Sequence, residues 1–329
     1  MEFKRLFDQF LGKRILVIGD VMIDSYLRGK VNRVSPEAPV PIVSLDKEED
    51  RLGGAANVAV NLVAMGASPV ICSVVGSDKQ GNDLQFLLAN AGISSDGLIY
   101  SHTRKTTVKT RIIGNNQQLL RVDSEQTDPV SINEEELLIR KVKELLKDGV
   151  DGIIFEDYNK GVLTPKVISE IISLAEKHDV ITTVDPKKEN FFAYKNCSLF
   201  KPNLKELKEG LGIDFSFLSN KDKFEEAVNE LEKRLNNSIS FVTLSEHGVF
   251  IKSDDSQHYI AAHVRNIADV SGAGDTVISV ATLCLVAGAP LSLIAEISNI
   301  AGGLACEKSG VVSIDRIQLL QETERLLKN

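Results

Sequence analysis

The sequence predicts an α/β fold: a mostly parallel β-sheet with helices on both faces, plus a small β lid. Three observations carry that prediction. Short apolar runs alternate with amphipathic stretches of helical period along most of the 329 residues, the rhythm that a parallel sheet with crossover helices requires. Two stretches, 25–46 and 98–123, replace that rhythm with β-branched alternation and no intervening helix. A composition of 43% hydrophobic and 26% charged residues belongs to an ordinary globular chain, long enough for one large domain over 1–329.

Taken in order, Arg14 to Gly19 is a short buried strand that a glycine ends. Ala55 to Met65 is a helix opened by Gly53 and Gly54 and closed by Gly66, and Pro69 to Val75 returns to a strand. Helices follow over Gly81 to Ala91 and Asn133 to Leu146, then a strand over Gly152 to Phe155. Pro165 to Lys177 reads helix, and Val180 to Val184 reads strand. Leu204 to Leu211 and Asp222 to Leu235 are helices, and Ser240 to Leu244 is a strand. The chain finishes with helices over Ala273 to Ala287 and Leu291 to Glu307. In such a sheet, ligands belong outside the carboxyl ends of the strands. The two irregular stretches read as hairpin strands that leave the main sheet, pair with each other and close over that end, where a lid would exclude water. An apolar outer face on the lid would favour a homodimer.

Composition also excludes. No stretch approaches the ~18 uncharged apolar residues of a membrane span, and the N-terminus, with Asp8 inside its amphipathic segment, is not a signal peptide. Cys72, Cys197, Cys284 and Cys306 lie far apart in apolar surroundings, as reduced thiols of a cytoplasmic protein would. A formal net charge of −8 without a long basic block argues against nucleic acid. There is no Gly-x-x-x-x-Gly-Lys-Ser/Thr loop and no protein-kinase motif set.

The chemistry concentrates at Asp269-Val-Ser-Gly-Ala-Gly-Asp275. A glycine turn that opens a helix presents unpaired N–H groups backed by the positive end of the helix dipole. Gly272, Ala273 and Gly274 would then form an anion hole, and Asp275 would accept the proton of a hydroxyl: the parts that phosphoryl transfer to an alcohol needs. The plainer reading is a tight loop with an aspartate that caps its own helix.

Three separated motifs resemble those of the ribokinase-like (PfkB) carbohydrate kinases: the Asp269–Asp275 turn, Gly53-Gly-Ala-Ala-Asn57, and Lys201-Pro-Asn203-Leu-Lys-Glu206. Within that family, Gly19-Asp20-Val-Met-Ile-Asp24, Arg33-Val-Ser-Pro-Glu-Ala-Pro-Val-Pro41, Asn115-Asn-Gln-Gln-Leu-Leu-Arg121, Asp157-Tyr-Asn-Lys160-Gly and Asp185-Pro-Lys187 are similar to phrases of the D-glycero-D-manno-heptose 7-phosphate kinases. The resemblance implies a ribokinase-like fold, ATP and Mg²⁺ as cofactors, and Asp275 as catalytic base; it leaves a monovalent cation open. It implies that Asn203 and Glu206 hold the Mg²⁺-phosphate assembly, Glu206 through water, against a bland reading as a capping box. Asp269 would hold the turn or its cation shell.

For the sugar, Asp20, Asp24 and Asn57 supply directional hydrogen bonds, and Gly53 and Gly54 allow close approach. For a phosphate at the sugar's far end, the candidates are Lys109, Arg111, Arg121, Lys160 and Lys187, with Arg33 on the first lid segment, each weighed against simple solvation. The nucleotide side falls to Ser245, Glu246 and Gly248, with Ser245 standing where many family members have glycine, and to Gly272, Gly274 and Asn299. The expected reaction is phosphorylation of the anomeric hydroxyl of the heptose 7-phosphate. Another sugar, sugar phosphate or nucleoside as acceptor, or a sugar-binding regulator without catalysis, are the alternatives. Some heptose kinases of this kind resemble the N-terminal half of a bifunctional protein with an adenylyltransferase appended. This chain ends at Asn329, which implies a kinase alone or a truncated form.

Overall fold

The structure, a computed structural model, describes residues 3–308 and 310–328. The chain runs α1 (Phe3–Asp8), β1 (Arg14–Gly19), β2 (Val21–Val34), β3 (Pro41–Gly54), α2 (Ala55–Ala64), β4 (Ser68–Gly76), α3 (Lys79–Asn90) and β5 (Ser94–Ser101). It continues through β6 (Val108–Gly114), β7 (Gln117–Ser124), α4 (Ile132–Lys147), β8 (Gly152–Glu156), α5 (Pro165–Lys177), β9 (Ile181–Asp185), β10 (Leu199–Phe200), α6 (Leu204–Leu211) and α7 (Lys221–Leu235). The last part holds β11 (Ile239–Thr243), β12 (Val249–Lys252), β13 (Gln257–Ile260), α8 (Ala273–Val286), α9 (Leu291–Cys306) and α10 (Arg316–Leu327).

The main sheet has nine strands in the order β13-β12-β11-β10-β9-β8-β1-β4-β5. From β11 to β5 every pairing is parallel, and the β12–β13 hairpin adds an antiparallel edge. Alternate residues of the central strands feed two separate cores, as period-2 side chains must when both faces are covered. Ile15, Val17 and Ile154 pack with α2, α8 and α9, whereas Leu16, Ile18, Ile153 and Phe155 pack with α4, α5 and α7. In the parallel register Gly19 lies beside Glu156, and Glu156 beside Asp185. The carboxyl ends of β1, β8 and β9 therefore bring two carboxylates together.

A second sheet, ordered β3-β2-β6-β7, leaves the first at the end of β1. Its strands differ from the expected boundaries. Leu98 to Ser101 belong to β5 at the edge of the main sheet, not to the lid, and β2 starts at Val21, immediately after Asp20. The other additions are α1, α10, the two-residue strand β10 and the β12–β13 hairpin. One face of the second sheet is apolar and open: Leu45, Leu119, Leu120 and Val122 are all exposed. No helix among the described residues is long and apolar enough to cross a membrane.

Candidate active site

The base of the site is the start of α8. Gly272 occupies the N-cap position with φ +78°, a left-handed conformation that a Cβ would strain. The Ala273 N–H donates to the Val270 carbonyl (3.3 Å), which removes it from the expected anion hole. The Gly272, Gly274 and Asp275 N–H groups have no partner among the described residues, so of the three expected donors only Ala273 is withdrawn and Asp275 adds its own.

Asp275 is 6% exposed and does not cap its own helix. Asn57 Nδ2 donates to its Oδ2 (2.5 Å) and the Tyr158 hydroxyl to its Oδ1 (3.0 Å). Burial, aided by the charge of Asp185, pushes the carboxyl up to about 6 against the pull of those donors. It remains ionised at neutral pH and close enough to titration to take a proton.

A cavity of about 150 Å³ opens beside it, with Asp24, Asn57, Lys109, Arg111, Tyr158 and Asp275 in its wall. Arg111 of β6, opposite Tyr26, reaches diagonally to Asp24 of β2 as an ion pair (2.5 Å), while Lys109 is the residue directly opposite Asp24. Gly53 and Gly54 also line the cavity, but their lack of side chains serves the fold first. A Cβ on Gly53 would fall 2.3 Å from Asp24 Oδ2, and one on Gly54 2.4 Å from the Asp20 carbonyl. Lys109 is different. It is half-buried, has no carboxylate partner among the described residues, and places Nζ 5.7 Å from the centre of the Tyr158 ring. Burial, then the nearby Lys160, lowers its pKa. Asp24, Glu125 and Asp123 offset this only in part, and an ammonium without a direct carboxylate partner in a pocket wall favours an anionic ligand.

Other expected sugar contacts sit elsewhere. Asp20 is 1% exposed and accepts the N–H groups of Tyr158, Lys160 and Val162 (2.9, 3.0 and 3.1 Å), so its oxygens are consumed by backbone. Arg121 stands across from Arg111 on β7 but is exposed and bonded to Asp123. Lys160 is bound to Glu125 (2.8 Å), and Arg33 is exposed on the far part of β2. Lys187 belongs to the opposite wall of the site, where its ammonium donates to Glu206 (2.6 Å). Burial opposes that ammonium, but Asp185 and Glu206 outweigh it and leave its pKa raised.

Asn203 and Glu206 form the capping box of α6. Asn203 Oδ1 accepts the Glu206 N–H (2.8 Å), and Glu206 accepts the Asn203 N–H (2.9 Å). The bland reading of that motif is the observed geometry, and both side chains are engaged locally. Carboxylates suited to a divalent cation lie next to them. Oxygens of Glu156, Asp185 and Asp275 fall within 4.8 Å of one another, and Glu156 Oε2 is buried without a partner. Burial, followed by the negative charges of Asp185 and Asp275, raises the Glu156 pKa well above normal. Lys201 offsets part of this through Asp185 (2.8 Å). Hard oxygen donors with an orphaned carboxylate oxygen suit Mg²⁺. Tyr158, Glu156, Asp185 and Lys201 were all missed as site residues by sequence reasoning, although each lies in or beside a quoted phrase at a strand end. That position was the signal.

On the nucleotide side, Ser245 has φ +54°, so it holds a conformation that glycine adopts freely, which accounts for glycine being the commoner residue there. It borders a groove of about 620 Å³ against Leu204, Lys208 and Gly212 of α6 and its end. Glu246 is exposed beside it. Gly248, at φ +90°, passes so close to the β13 end that a Cβ would meet the Ile260 carbonyl at 2.0 Å. Asn299 of α9 donates to the Ala261 carbonyl (2.8 Å), tying down the segment that leads into the Gly272 turn. Asp269 accepts the Ser271 and Gly310 N–H groups (2.9 and 3.0 Å) and holds that turn.

Solved structures with the same arrangement share the fold. Escherichia coli phosphofructokinase-2 in complex with potassium aligns over 97% of this chain and 100% of its own with TM-score 0.77 at 19% identity. Arabidopsis thaliana ribokinase complexed with ribose and ATP aligns over 95% and 98% with TM-score 0.70 at 15% identity. Among curated proteins, the bifunctional protein HldE of Helicobacter pylori strain J99 is 39% identical over 310 residues, 94% of this chain and 66% of its own length. The Wolinella succinogenes HldE is 40% identical over 90% of this chain and 61% of its own. The chain thus spans somewhat less than two thirds of these relatives. Residues 13–317 match the model of the pfkB family of carbohydrate kinases, and the chain belongs to that family.

Proposed function

We propose that the protein is an ATP-dependent kinase for a sugar that already carries a phosphate, with D-glycero-D-manno-heptose 7-phosphate as the acceptor and its anomeric hydroxyl as the nucleophile. The observation that carries this reading is the unpaired ammonium of Lys109 in the same 150 Å³ cavity wall as Asp275. A neutral sugar would leave that ammonium without a direct ionic partner, whereas an anionic one supplies it. The similarity to the HldE proteins and the heptose-kinase-like phrases support the heptose over other sugar phosphates.

In this mechanism Asp24, Asn57 and Arg111 fix the sugar hydroxyls, and Lys109 meets the distal phosphate. The anomeric oxygen forms a bond to the γ-phosphorus as the bond from that phosphorus to the β–γ bridging oxygen breaks. Asp275 takes the hydroxyl proton, ADP leaves, and the Gly274 and Asp275 N–H groups receive the charge of the transferring group. Glu156 and Asp185 would hold Mg²⁺, which when bound neutralises the polyphosphate. The exposed apolar face of the second sheet supports its pairing with the same face of another copy, and that sheet would close over the sugar.

The test is ADP release from Mg²⁺-ATP with the heptose 7-phosphate, fructose 6-phosphate, ribose and adenosine in parallel, with Asp275→Asn as control. Turnover confined to the heptose phosphate and lost in the control supports the full reading. A different preferred acceptor keeps a kinase and discards the heptose, and silence with all four favours a sugar-binding regulator.

A further inference from the structure

A carboxylate in the first turn of a helix is drawn toward that turn's own free N–H groups. Asp275 stands there in α8 and makes no such bond. Two donors from outside the helix hold it instead, one on each oxygen: Asn57 Nδ2 on Oδ2 and the Tyr158 hydroxyl on Oδ1. The Gly274 and Asp275 N–H groups, orphans as first-turn donors are, therefore stay free of the Asp275 carboxylate.

Tyr158 is itself firmly placed. Its N–H is bonded to the buried Asp20 carboxylate (2.9 Å), and its ring lies 5.7 Å from Lys109 Nζ and 5.5 Å from Lys187 Nζ. The ring is thus a wall between the sugar cavity and the carboxylate cluster, a task for which phenylalanine would serve as well. The hydroxyl adds a buried polar group, which is costly unless bonded, and its recorded partner is Asp275.

We propose that Tyr158 is a positioning residue for Asp275. Its hydroxyl keeps the carboxylate from turning back onto α8, so the base faces the sugar and the helix N-terminus stays open to the transferring phosphoryl group. The proposal rests on Asp275 as the base. Without the hydroxyl, Asn57 holds only one oxygen, and rotation of the carboxylate toward its own helix withdraws the base and fills the anion hole together.

Steady-state kinetics of the wild type, Tyr158→Phe, Asp275→Ala and the double variant test this, with the heptose 7-phosphate and Mg²⁺-ATP as substrates and thermal melts as a folding control. Tyr158→Phe should lower kcat about 10- to 100-fold, the span of one hydrogen bond to a charged group. Its KM for the sugar phosphate should stay within about 3-fold, because the ring, Lys109, Asp24 and Arg111 are untouched. In the Asp275→Ala background the same change should cost nothing more, since no carboxylate remains to be held. An equal loss in both backgrounds, or a wild-type kcat in Tyr158→Phe, would overturn the proposal while leaving the base intact. Wild-type turnover in Asp275→Ala alone would overturn the base assignment, and this proposal with it.

Discussion

Replacing Lys109 by methionine should make the protein more stable and a poorer enzyme. The ammonium is half-buried, faces a cavity and has no carboxylate partner among the described residues. Burial and Lys160 lower its pKa below the unfolded value, so folding disfavours the charged form. That destabilisation is fully present below the folded pKa and disappears as pH rises past the unfolded value near ~10.4. Methionine matches the length of the stem and removes the charge. With the side chain partly solvated, the gain is about 0.5–1 kcal/mol, or roughly 1 °C in Tm for a chain of this size. On the enzyme side, loss of one charge-assisted contact to phosphate costs about 1.5–3 kcal/mol, equivalent to roughly 10- to 150-fold in kcat/KM. Most of it should appear in KM for the sugar phosphate. Differential scanning calorimetry at pH 7 and coupled ADP-release kinetics read the two effects separately. A variant that melts lower, or one with unchanged kcat/KM for the phosphorylated acceptor, would refute the reasoning.

Asp275→Asn should fold normally, retain ligand binding and turn over at least ~100-fold more slowly, as measured by ADP release and calorimetric titration with the sugar phosphate; near-wild-type turnover would end its assignment as base. Because burial raises this carboxyl to about 6, kcat/KM should be flat at neutral pH and fall tenfold per unit below about pH 6, where the base is protonated; a profile flat to pH 5 would contradict it. Leu120→Glu places a charge on the exposed apolar face of the second sheet and should shift a sedimenting dimer toward monomer. Equal sedimentation of wild type and variant at either mass would remove that face as the interface.

The main sheet was legible because its signal is local. Buried strands such as Ile15 to Ile18 read as continuous apolar runs, and the crossover helices carry their caps in the sequence, as with Thr164 before Pro165. The edge between the two sheets was less visible, since Leu98 to Ser101 share the β-branched pattern of the lid and only pairing with β4 assigns them to the main sheet. At the site, Asp275, Asn57 and Asp24 could be read from the motifs that surround them. Tyr158, Glu156 and Asp185 could not be ranked, because their importance arises from parallel register that sets distant strand ends side by side. The cations divided for a similar reason. In sequence Lys160 and Lys187 rank above Lys109 because they sit in the heptose-kinase-like phrases, and only the structure, which pairs both with carboxylates, turns attention to Lys109.

Asp20 shows what a buried carboxylate can do without touching a ligand. It is the single residue between β1 and β2, and each of its polar groups is committed to a different element. Its N–H donates to the Glu156 carbonyl at the end of β8 (3.2 Å), and its carbonyl accepts the Ala55 N–H at the start of α2 (3.0 Å). Its side chain gathers the 158–162 loop through three backbone N–H groups. Burial raises the Asp20 pKa, and those three donors oppose the rise. The elements it joins are the ones that carry Asn57 and Tyr158, the two donors on Asp275. A sugar hydroxyl approaching the Asp20 carboxylate would compete with the backbone donors it gathers. Its place beside Asp24 in the sequence therefore reflects one strand end used twice: Asp24 faces the cavity, and Asp20 sets the geometry of the groups that hold Asp275.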